Sequence, residues 1–243
     1  MKQVIKLGIT SVASPLEVGA GDAPQLMLDL KQTFQMEGFD RLEIHLSPQP
    51  VTGFQTAEEA GRFFYDKRVD AICVIAASWY EDYLVLDMLA ECDVPIITWA
   101  RPGMETGSLC GMQQLDFMLK QLNKPYCFLF DAATSTAAIK RAYQFALTAA
   151  LKKQLRRSRI GYLGHRVEGM TETTANELAL NKHFGTRVVG LDSQVFLNEV
   201  EKVMPESVSE EWQLVRSKVG SVVSAKSDGI ESMQVTRVMR SVI

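Results

Sequence analysis

Residues 159–173, "RIGYLGHRVEGMTET", gather the side chains in this chain best suited to hold an oxygen-rich ligand. The run 159–163 reads as a short strand, and Gly164 to Met170 turn the chain. Thr171 or Thr173 stands where a hydroxyl can cap a following helix. Backbone N–H groups at a helix start, with Arg166 and His165 beside them, attract ligand oxygens. From Gly164 the loop reads G-x-x-x-x-G-M-T, one residue away from the phosphate-binding G-x-x-x-x-G-K-T. Met170 stands where the lysine would reach the phosphates, so a nucleotide site is not expected. No G-x-G-x-x-G fingerprint occurs either.

Three other segments offer polar or aromatic side chains: "SVASPLEVGAGDAP", "ASWYEDY" with Trp79 and Tyr80, and "WARPGMETGSLCG" with Arg101. Each has a bland alternative. Trp79 either lines a pocket or covers the end of a core, and Arg101 either meets a ligand or pairs with a neighbouring acid. Glu81 and Asp82 at a helix start suit the positive end of the dipole without any further role. His45, His165 and His183 show no H-x-x-x-H or H-E-x-x-H spacing, the four cysteines form no C-x-x-C pair, and no G-x-S-x-G elbow occurs. The residues alone therefore predict a polar small-molecule pocket without visible chemistry.

Such loops need a scaffold. Strand-like runs at 4–10, 41–46, 71–76, 95–99 and 126–130 alternate with segments of helical spacing. This alternation predicts βαβ crossovers and a parallel sheet covered on both faces. The expected fold class is α/β, a flavodoxin-like domain over 1–157 followed by an incomplete second α/β domain over 158–243. The second begins with strands at 159–163 and 187–191 and helices at 174–184 and 194–204, then turns wholly helical. Two parallel strands bury too little to stand alone. The quoted loops all fall at carboxyl ends of strands, where open parallel sheets bind ligands. The basic stretch "KKQLRRSR" reads as a solvated helix end whose cations complement the dipole.

The 243 residues are 47% hydrophobic and carry a net charge of -3, which argues against a nucleic-acid partner. No window reaches the ~18 apolar residues that span a bilayer, and Lys6 interrupts the first apolar run, so neither membrane span nor signal peptide is expected. The dispersed cysteines suit a reducing, cytoplasmic setting.

The run "VIAASWYEDYLVLDMLAECDVPIITWARP", then "GSLCG", "RIGYLGHRVEGM" and "HFGTRVVGLD", resembles the L-fucose/L-arabinose isomerase superfamily, nearest its L-fucose isomerase-like proteins. The likeness covers essentially the whole chain but only the amino-terminal portion of a longer family protein. It implies a cytoplasmic aldose–ketose isomerase in which a divalent metal, commonly manganese, holds adjacent sugar oxygens while carboxylates move a proton through an ene-diol. It also implies a homo-oligomer with sites between subunits. Trp79 matches the tryptophan that reaches a neighbouring subunit's sugar, and Arg166, Gly169 and Met170 match the loop lining the pocket. With Tyr80, Arg101 and His165, these are the expected substrate-binding residues. The arginine that fucose isomerases carry after strand one has no counterpart in "SVASPLEVG", which leaves the sugar open. The family's metal-ligating glutamate, aspartate and histidine match nothing before Ile243, so no metal ligand or catalytic residue is assigned. The chain is expected to be a sugar isomerase-like protein without activity by itself; the alternative is a non-catalytic sugar-binding or assembly module.

Overall fold

Residues that alternate between two apolar faces, as in "AICVIA", can only be satisfied by helices on both sides of a sheet, and the fold supplies them. The computed structural model describes residues 4–242. It divides into one unit running to Gln154 and another from Leu155. In the first, β1 (Ile5–Val12), β2 (Leu42–Leu46), β3 (Ala71–Ala76), β4 (Ile96–Ala100) and β5 (Tyr126–Phe130) form a parallel sheet in the order β2-β1-β3-β4-β5. This is the flavodoxin-like order. Helices α1 (Ala23–Met36), α2 (Phe54–Lys67), α3 (Tyr83–Glu91), α4 (Ser108–Gln121) and α5 (Thr136–Leu155) make the crossovers.

Strand register sorts the side chains into two cores. Leu7, Ile9, Cys73, Ile75, Ile97 and Trp99 pack with Leu30 and Phe34 of α1 and with Ile139, Ala142 and Ala146 of α5. On the other face Ile72, Val74 and Ile96 pack with Phe64 of α2, Leu84 and Met88 of α3, and Met112 and Leu115 of α4. Helices α2 and α3 lie close because Gly61 has no Cβ. One added there would stand 2.5 Å from the Met88 carbonyl oxygen and 2.6 Å from Glu91 Cβ.

Two charged side chains in this unit have contrasting surroundings. Asp116 on α4 is 9% exposed, yet its Oδ1 and the Thr98 Oγ1 of β4 both lack a hydrogen-bond partner. Burial pushes the Asp116 carboxyl up to about 6, with the adjacent Thr98 hydroxyl opposing the rise. Just before the start of β3, Lys153 corrects the reading of "KKQLRRSR" as a solvated helix end. Its Nζ donates to Asp70 Oδ1 at 2.8 Å and to the carbonyls of Arg68 and Val69 at 3.1 and 3.0 Å. Helix α5 thereby anchors the start of β3.

The second unit holds β6 (Arg159–Leu163) and β7 (Arg187–Leu191), parallel and in register from Arg159 opposite Arg187 to Leu163 opposite Leu191. With them are α6 (Glu177–Phe184), α7 (Ser193–Glu201), α8 (Ser209–Ser217) and α9 (Lys226–Val242). Its buried apolar side chains are few: Phe196, Val208, Trp212 and Val238. Trp212 lies directly over Gly229 of α9. The two strand patterns expected at 159–163 and 187–191 are thus present as β6 and β7.

Candidate functional site

In the first unit, strand order places helices on opposite faces on either side of the β1–β3 junction, so the loops after these strands part there. The loops are tightly tied. Trp79 N–H donates to the Thr106 carbonyl at 2.7 Å, and the Trp79 carbonyl accepts from Ser14 N–H at 3.1 Å. One residue thus bridges the loops after β1 and β4. Ser108 Oγ donates to the Ala76 carbonyl at 2.7 Å and accepts from Arg101 N–H at 3.0 Å. Gly107, at φ +63°, passes so near that a Cβ would stand 2.9 Å from Trp79 Cβ.

The three predicted residues of this unit fare differently. The Trp79 side chain is half-buried at the strand ends. Tyr80 is fully buried, and its hydroxyl lies 3.3 Å from Met112 Sδ, so its ring belongs to the core beneath α4. Burial, followed by the charges of Asp116 and Asp82, pushes its phenol well above the usual value. Arg101 Nη1 donates to Asp22 Oδ2 at 2.7 Å, linking the loop after β4 to the start of α1. That is the acid-pairing alternative the sequence left open.

In the second unit the loop after β6 folds differently from a simple strand–turn–helix. Gly164 and Gly169 take φ of +78° and +83° and reverse the chain. Thr171–Thr173 form one 3-10 turn, Thr174 is extended, and α6 begins only at Glu177. The cap of α6 is Asn176, whose Oδ1 accepts from Ala179 N–H at 3.0 Å, in place of Thr171 or Thr173. The 3-10 turn and the extended Thr174 carry the chain past both threonines before α6 starts. Arg166 Nη1 donates to the Thr171 carbonyl at 3.3 Å, which holds the loop closed on itself.

This folding leaves an open depression of about 410 Å³ at the carboxyl end of β6. Tyr162, His165, Arg166, Thr174, Glu177 and Val188 are among the residues that line it. Of the predicted residues it brings together His165 and Arg166. Gly169 and Met170 belong to the same loop but are not among the lining residues, and Met170 is 44% exposed. Tyr162 and Glu177 were missed. Tyr162 could have been found from its place next to the end of β6; Glu177 is brought in only by where α6 starts.

The lining has a definite chemistry. Arg166 and His165 offer N–H donors, Glu177 offers acceptor oxygens, and the Tyr162 ring offers a flat apolar surface with a hydroxyl at its edge. Donors and acceptors around an aromatic face suit a hydroxyl-rich ring or chain better than a compact anion, which Glu177 would repel. Among the described residues, no group of three or more His, Cys, Asp or Glu side chains is placed to hold a metal ion. Nor is any helix among them long and apolar enough to cross a membrane. Comparison of the chain with protein-family models gives no match, and comparison with curated proteins gives none either.

Proposed function

We propose that this chain is the sugar-contacting part of an L-fucose isomerase-like protein, with the depression after β6 receiving an aldose, a ketose or a derived polyol. The observation that carries the reading is the convergence of Tyr162, His165, Arg166 and Glu177 on one strand-end depression. In this reading Arg166 and His165 donate to adjacent sugar hydroxyls, Glu177 accepts from one, and Tyr162 packs against a face of C–H bonds. A divalent metal, manganese by the resemblance, would supply Lewis acidity toward the ene-diol in the family reaction. The described residues do not make a site for it. The part of this chain is binding and orientation, in a cytoplasmic setting and in a homo-oligomer. A non-catalytic sugar-binding or assembly module is the second reading, favoured by the apolar side chains that the second unit leaves exposed, such as Ile160, Leu178 and Val195.

Titration of the 243-residue chain with aldoses and alditols, followed by amide NMR shifts, tests the binding. Shifts should centre on residues 162–177. Arg166→Ala should weaken binding about tenfold or more, the loss expected of a charged hydrogen-bond donor. Saturating sugar that moves none of these amides would sink the proposal. With manganese added, the chain alone should convert no aldose, and metal-dependent conversion would show that chemistry resides in residues read here as structural.

Trp79 supplies a separate check. Because it is half-buried, Trp79→Ala should lower stability by about 1–2 kcal/mol, less than the ~3–5 kcal/mol of a fully buried aromatic. Its sugar role in the assembled protein predicts a loss of turnover larger than this modest loss of stability accounts for. A steep melting loss without a binding defect would assign it to the core.

A further inference from the structure

Between Asp131 and Glu168 the chain has no acidic residue, and between Glu177 and Asp192 it has none either. In a chain of net charge -3, cations are here set apart from acids. The first stretch carries Arg156, Arg157 and Arg159, the second Lys182 and Arg187. Among the described residues none of these has an acidic partner within ion-pair distance, whereas Lys153 has Asp70. Arg156, Arg157 and Lys182 stand at the ends of α5 and α6, where cations complement the helix dipoles. Arg159 and Arg187 begin strands, and no helix end accounts for them.

The fold puts these two arginines side by side. Arg159 pairs with Arg187 in the parallel register of β6 and β7. Residues paired in this way point to the same face, with about 4.8 Å between the strands. Each arginine follows a hydroxyl residue, Ser158 before β6 and Thr186 before β7. Both hydroxyls donate to the Leu155 carbonyl, at 2.7 and 2.8 Å, and they lie 3.2 Å from each other. Arg187 N–H donates to the Ser158 carbonyl at 3.5 Å. Thr186 is 3% exposed, so the backbone beneath the two guanidinium groups is anchored. Gly185, at φ +73°, lets Arg156 approach the same place: a Cβ there would stand 2.7 Å from Arg156 Cγ.

Like charges directly opposite on paired strands are destabilising, and an anion held between them removes that cost. We propose that Arg159 and Arg187, with Arg156 beside them, form a binding site for a phosphate group. A guanidinium presents parallel N–H donors that match two oxygens of an oxyanion. A carboxylate spends both its oxygens on one such fork. A tetrahedral phosphate has oxygens enough to face two forks at once, and near neutral pH its charge offsets both arginines. The Ser158 and Thr186 hydroxyls are already engaged, so the guanidinium groups alone do the recognising. They read the phosphate and nothing attached to it, which suits the phosphate of a free small molecule or of a lipid headgroup. The site is independent of the sugar reading. It lies at the amino ends of β6 and β7, whereas the depression lies at the carboxyl end of β6, where Glu177 repels anions.

Inorganic phosphate titrated into the 243-residue chain, with chloride adjusted to hold ionic strength constant, supplies the test. Amide NMR shifts at residues 156–159 and 185–187 should saturate, while those at 165–177 stay in place. Arg187→Gln should weaken phosphate tenfold or more, as removal of a charged donor does. Without phosphate that variant should melt no lower than the parent, because it relieves two like charges. Loss of binding therefore cannot be traced to misfolding. Added phosphate should raise the melting temperature more in the parent than in the variant. Changing both Arg159 and Arg187 to lysine keeps the charges, removes the forks and should also cost tenfold or more. Phosphatidylcholine vesicles with and without phosphatidic acid separate the two sources. Sedimentation with the chain that needs phosphatidic acid and is competed by phosphate assigns a lipid headgroup; phosphate binding without it assigns a free ligand. Shifts that chloride alone reproduces would overturn the proposal. So would a double-lysine variant that holds phosphate as tightly as the parent, which would reduce the site to diffuse charge.

Discussion

Lys153→Met is expected to lower the unfolding free energy of the first unit by about 3–5 kcal/mol, the loss seen when one partner of a buried ion pair is removed. Asp70 is the reason. Its side chain is 3% exposed, with one oxygen on Lys153 Nζ at 2.8 Å and the other on Lys6 N–H at 3.0 Å. Methionine keeps the length of the side chain but leaves a buried carboxylate with a single amide for company. It also abandons the carbonyls of Arg68 and Val69, which close the end of α2. Denaturant titration should show a lowered midpoint at unchanged slope, and the melting temperature should fall by about 10 °C. Pairing the change with Asp70→Asn should recover a large part of the loss, because the amide can still accept from Lys6 N–H without burying a charge. A loss below ~1 kcal/mol would mean that the pair is wetter than its geometry indicates and behaves as a surface bridge.

Asp116→Asn is expected to act in the opposite direction. The carboxyl titrates near 3.8 when unfolded and is pushed up to about 6 in the folded unit, burial being the main cause. A raised carboxyl pKa means that the fold favours the protonated form. Below about pH 4 both states hold the proton and nothing is lost. As pH climbs from about 4 to about 6 the unfolded state gives up its proton while the folded state still holds it, so stability falls, and above about 6 the loss is complete. Asparagine removes that charge while preserving shape. The variant should therefore be more stable than the parent by about 2 kcal/mol at pH 7.5, somewhat under the ~3 kcal/mol that a two-unit shift would carry in full. At pH 4 the difference should nearly vanish. A gain that is the same at both pH values would trace the effect to the unpaired Thr98 hydroxyl instead of to ionisation.

The two variants also separate kinds of information that the chain carries. Alternation of strand-like and helical runs, with apolar residues at periods suited to each, was enough to read the parallel α/β sheet, its five strands and the two that follow. Such patterns are local, and burial on both faces leaves them few ways to fold. The strand-end loops were equally legible, since carboxyl ends of parallel strands are where loops gather whatever their composition. His165 and Arg166 lie in one of them and line its depression.

Everything that depended on distance in sequence was decided by tertiary structure. Lys153 meets Asp70 across more than eighty residues, and nothing in "KKQLRRSR" distinguishes that lysine from its solvated neighbours. Arg101 finds Asp22 through the approach of two loops, and Tyr80, adjacent to a half-buried tryptophan, turns wholly into the core because Gly111 of α4 lets its ring lie against the helix. Glu177 enters the depression only because Asn176, and neither threonine before it, starts α6. Periodicity reports which face of an element is apolar. Which partner a charged or aromatic side chain meets depends on how whole elements pack, and the gain from excluding water between them outweighs local preference.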